Sequence, residues 1–160
     1  MNLKPTIIAL ALMLFSINVF GQYNYIQKLG SLATVALPDT PKLVEKEEAK
    51  VYITKYHGVI FLAEVGEDSG GLKDLFRKNN YDSLYNSFIK GMLGEKGRLF
   101  YKNKININEQ EGVEFGYKID LNGRLTYRYN HVVSLNDTLL MCGIWSSDSL
   151  SKDDKHLAAF

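Results

Sequence analysis

The chain has 160 residues, 19 of them Lys or Arg and 18 Asp or Glu, for a formal net charge of +1, and it carries one cysteine. The two signs of charge are interspersed, as at residues 45–50 and 95–98, which excludes the basic face that a nucleic-acid backbone requires. With Cys142 alone, no intramolecular disulfide forms and the fold must be held by its core.

The N-terminus has the order of a secretory signal peptide. Lys4 supplies a positive charge, residues 7–15 an apolar run, and Val19 and Gly21 of Val19-Phe20-Gly21 acceptable short residues at positions minus three and minus one of a cut before Gln22. We therefore expect residues 1–21 to be removed and residues 22–160 to form one mature domain, exported to the periplasm or secreted. A spanning helix needs about 20 apolar residues. This run is interrupted at Asn18 and stops at Gly21, so the mature protein is not expected to be an integral membrane protein. No cysteine stands near the cut to take a lipid.

After a short entry segment at residues 22–29, residues 32–37 read as a strand ending at Pro38. Residues 50–56 and 59–65, rich in β-branched and aromatic side chains, read as two strands joined by the tight turn His57-Gly58. The period then changes. Tyr81, Leu84, Tyr85, Phe88, Ile89 and Met92 recur every three or four residues and predict a helix, which starts as early as Leu72 and ends in the glycine-containing region 91–97. Alternation returns with Val113, Phe115, Tyr117, Ile119 and Leu121 on one strand face, followed by the turn Asn122-Gly123. The next strand sets Leu125, Tyr127, Tyr129, His131 and Val133 on one face, and a last strand covers residues 138–145. Residues 151–160 predict a second helix, capped by Ser151, whose apolar residues Leu157 and Phe160 arrive at its end, so that the last helix is expected to be truncated. The expected class is α+β, an antiparallel sheet sandwiched by helices in a single small domain.

Few residues form a catalytic or ligating pattern. Asp68-Ser69-Gly70-Gly71 with His57 upstream looks like a serine-protease loop, but too little chain precedes Ser69 to assemble the two barrels such a site needs. His57, His131 and His156 are scattered, and Glu64, Glu67 and Asp68 lack the spacing of a calcium loop. Cys142 lies in an apolar stretch with no activating base visible near it in sequence, which reads as a buried, inert thiol. No catalytic residue, metal or cofactor is expected. Tyr117, Tyr127, Tyr129 and Trp145 fall in the meander; they either line a binding surface or fill the core between sheet and helix.

Residues 32–42 with their Pro-Asp-Thr-Pro, the central helix, the meander from Gly123-Arg124 to Asn130 and the closing residues 155–160 together resemble the PsbP-like superfamily. The resemblance implies a sheet between helices and a non-catalytic binding or assembly role, and it assigns no functional residue. The sequence thus leads to an exported, non-catalytic binding or assembly module whose partner is an unknown protein or small ligand. A small carrier of an apolar ligand is the alternative.

Overall fold

The computed structural model describes residues 25–67, 80–135, 138–151 and 154. The signal segment, the earliest helix start at Leu72, the Ser69 loop, His156 and, apart from Ser151 and Asp154, the expected C-terminal helix lie outside the described residues. Nine strands and one helix follow in chain order among them: β1 (Tyr25–Leu29), β2 (Ala33–Leu37), β3 (Lys42–Lys46), β4 (Ala49–Tyr56), β5 (Val59–Glu67), α1 (Tyr81–Leu93), β6 (Arg98–Ile107), β7 (Gln110–Leu121), β8 (Arg124–Leu135) and β9 (Thr138–Ser146).

Seven strands form one antiparallel sheet in the order β3-β4-β5-β9-β8-β7-β6, and β1 pairs with β2 as a separate hairpin. The final strand β9 thus lies between the early strands β3–β5 and the late strands β6–β8, and stitches them together. Helix α1 begins at Asn80, whose side-chain oxygen accepts from the Ser83 backbone N–H at 3.2 Å, and ends at Gly94, where φ is +52°.

The helix covers one face of the sheet. Leu84, Tyr85 and Ile89 pack there against Leu62, Val113, Phe115, Tyr117, Val132 and Met141. Tyr85 locks the contact, its hydroxyl donating to the Glu111 carbonyl at 2.6 Å and accepting from the Ser134 N–H at 3.1 Å. The opposite face is covered by the β1–β2 hairpin: Leu29 lies against Ala63 and Leu140, and Leu37 against Phe61, Tyr129 and Ile144.

The expected α+β sandwich is therefore corrected: the structure is mostly β, and among the described residues one helix lies on one face of the sheet and a β-hairpin on the other. Three strands were not expected. β1 lies in the entry segment, and β3 and β6 are the two edges of the sheet. An edge strand has little to bury, so its sequence loses the alternation by which strands are read. All five residues of β3 are exposed, and only Tyr101 and Ile105 of β6 are partly buried.

Candidate functional site

The antiparallel register fixes which meander side chains share a face, because directly paired residues point the same way. Tyr117 pairs with Arg128, and Arg128 with Trp145, so these three lie on the helix face. Tyr127 and Tyr129 occupy alternate positions of β8 and point to the hairpin face. The four aromatic residues singled out in sequence are thus divided by the sheet and do not form one surface. Tyr117 and Tyr129 are buried in the core, and Tyr127 and Trp145 are partly buried against it.

On the hairpin face, β6 adds two rings that sequence reasoning missed. The ladder between β6 and β7 slips between Leu99 and Tyr101, a bulge that leaves Phe100 without a paired residue. Phe100 and Tyr101 both lie over Gly116, where an added Cβ would meet Tyr101 Cε1 and, at 2.5 Å, Phe100 Cε2. The Phe100 ring stands 5.7 Å from that of Tyr129 and 6.3 Å from that of Tyr127, both edge-on. Phe100 and Leu125 are 44% and 43% exposed, so this end of the face presents apolar surface to solvent. Arg98 and Lys118, paired across the ladder and both exposed, flank it. Tyr129 anchors the segment after β9, accepting from the Leu150 N–H at 2.7 Å and donating to the Leu150 carbonyl at 3.2 Å.

The same face carries a polar row running straight across the strands: Cys142, His131, Glu114 and Asn103 are successive register partners. His131 Nε2 lies 3.4 Å from Glu114 Oε2, and Asn103 Nδ2 donates to Glu114 Oε1 at 2.6 Å. A thiol, an imidazole and a carboxylate in line is the order of a nucleophilic triad. The sequence hid it because cross-strand pairing places residues eleven or more apart side by side. Burial, however, pushes the Cys142 thiol up to about 11, so it stays protonated at neutral pH. Tyr101 beside the row is pushed up to about 12 by burial, and then by Glu114 and Tyr129. Among the described residues no three His, Cys, Asp or Glu side chains come together as a metal set.

On the helix face, Arg128 lies over Trp145, with its guanidinium carbon 4.0 Å from the ring centre and 5.6 Å from that of Tyr117. Its Nη1 donates to the Tyr117 hydroxyl at 3.0 Å. Next to it, Asn130 is fully buried opposite Gly143. A Cβ on Gly143 would come within 2.9 Å of Asn130 Oδ1, so only glycine leaves that amide its place. Further along this face, a cleft of about 280 Å³ opens between the start of α1 and β6. The Lys104–Asp82 ion pair at 2.8 Å lies at its rim, with both side chains largely exposed. His57, the other histidine among the described residues, sits in the β4–β5 turn with φ +48°, away from both clusters.

No family model and no curated protein matches the chain. Among solved structures, PA94 of Pseudomonas aeruginosa, a protein of unknown function, is similar at 14% identity over 76% of this chain and 81% of that one, with a TM-score of 0.44. That degree of likeness assigns no activity. No helix among the described residues is long and apolar enough to cross a membrane.

Proposed function

We propose that this protein is an exported, non-catalytic binding module that receives a segment of a partner protein on the aromatic shelf of Phe100, Tyr101, Leu125 and Tyr127. The observation that carries the reading is the bulge in β6. It places two adjacent rings on one sheet face and leaves nearly half of Phe100 in contact with water. Partly exposed aromatic rings over a firm base are the usual anchors of a protein interface. Arg98 and Lys118 at the rim favour a partner segment that carries acidic residues beside its apolar ones. The protonated Cys142 supports a non-catalytic role for the polar row. The order of residues 1–21 supports export.

The test is paired affinity capture from the envelope fraction, with the wild-type mature protein and a Phe100→Ser/Tyr127→Ser variant that melts at a similar temperature. The variant is expected to lose at least tenfold of the partner retained by the wild type, the order of effect for removing interface anchors. Equal retention by both proteins contradicts the proposed surface.

A further inference from the structure

We propose that Arg128, Asn130 and Trp145 form a binding site for an organic carboxylate, on the sheet face opposite the aromatic shelf and independent of it. The starting point is the hydrogen bonding of Arg128. Tyr117 takes Nη1, while Nε is buried and has no hydrogen-bond partner. The two ion pairs among the described residues are Lys104–Asp82 and His131–Glu114, and neither involves this guanidinium. Of the edges of a guanidinium, the one formed by Nε and Nη2 accepts both oxygens of a carboxylate side by side. That edge is the one Tyr117 leaves open.

Two neighbours extend the set. Trp145 is the direct register partner of Arg128, and its indole Nε1 is buried without a partner. Asn130, two residues along β8 on the same face, is fully buried, and both its Oδ1 and Nδ2 lack partners. A buried polar atom left unbonded is destabilising, and four of them gather on three neighbouring side chains. Three of the four are donors, beside a fixed positive charge, which selects for an anionic acceptor. The remaining acceptor, Asn130 Oδ1, suits a ligand that also carries an N–H. The clamp between Trp145 and Tyr117 holds the guanidinium plane before any ligand arrives, so little ordering is needed on binding.

The chain contains one tryptophan, so Trp145 is itself the reporter. The mature protein is titrated at constant ionic strength with acetate, N-acetyl-glycyl-glycine, the amide of that dipeptide, inorganic phosphate and chloride. Indole fluorescence is followed together with the 15N–1H resonances of Trp145 Nε1 and Arg128 Nε. A saturable change is expected with the carboxylates and not with the dipeptide amide or chloride. Tighter binding of the dipeptide than of acetate identifies a peptide terminus as the source, and equal binding a free organic acid. Arg128→Lys keeps the charge but removes the side-on edge, and should weaken binding about tenfold or more. Asn130→Leu should weaken dipeptide binding while holding or raising the melting temperature, which an amide with a structural role would not do. No shift of either resonance in the wild-type protein, a response to phosphate alone, or a response shared by the dipeptide amide overturns the proposal even if the variants fail to fold.

Discussion

Cys142 and Tyr101 show how burial sets chemistry on the hairpin face. Both acids are held protonated in the fold beyond their ordinary range, the thiol moving from 9.0 to about 11 and the phenol from 10.0 to about 12. In the unfolded chain both lose their protons first. Their neutral forms therefore contribute stability that is complete below pH 9 and is lost as the pH rises through about 11 and 12. The melting temperature is expected to fall across this alkaline window, and Cys142→Ala should flatten its lower part. A melting temperature as pH-dependent in Cys142→Ala as in the wild type would contradict a buried, protonated thiol. The apolar surroundings of Cys142 were legible in the stretch around it, although the residue is only partly buried. Its place at the head of a row with His131 and Glu114 was not, since nothing in a single strand states which residue of the next strand it faces.

At the scale of elements, three of the two-residue turns that set the register of the sheet take positive φ throughout: His57-Gly58, Asn108-Glu109 and Asn122-Gly123, with φ between +48° and +83°. Two follow the residue-then-glycine pattern and were readable in sequence. The third places Glu109 at φ +67°, a conformation that costs an L side chain about 1–2 kcal/mol. Glu109→Gly is expected to raise the melting temperature by a few degrees in a thermal scan, despite the extra freedom it gives the unfolded chain. A lower melting temperature would show that Glu109 makes a compensating contact. Gly116 carries the opposite expectation. Its bare Cα is the floor under Phe100 and Tyr101, so Gly116→Val should displace both rings and destabilise the protein by about 1–3 kcal/mol, measured by urea unfolding. Unchanged stability would mean that the rings do not rest on this strand. The central strands β7 and β8 and helix α1 were legible because each buries a regular stripe. The edges β3 and β6 bury almost nothing, and the bulge breaks what alternation β6 has.

For the whole molecule, the sheet is one layer with two unequal covers. Helix α1 packs on one face and the β1–β2 hairpin on the other, and the aromatic shelf lies on the hairpin face, where Phe100 and Leu125 stay about two-fifths exposed. Expecting helices on both sides was a natural reading of the stripe at residues 81–92, yet the cover of the second face comes from β1, whose five residues gave no sign of pairing until β2 was placed beside them. The candidate surface was legible only in part: Tyr127 belongs to it, whereas Tyr117 and Trp145 point to the other face and Tyr129 forms its buried support. The most direct measurement of the binding role is site-specific photo-crosslinking in the envelope, with a benzoylphenylalanine placed at Phe100 and, as control, at Lys46 on the opposite edge. A discrete protein adduct is expected from position 100 and not from position 46; no adduct at 100, or the same adducts at both positions, would contradict a partner seated on the shelf.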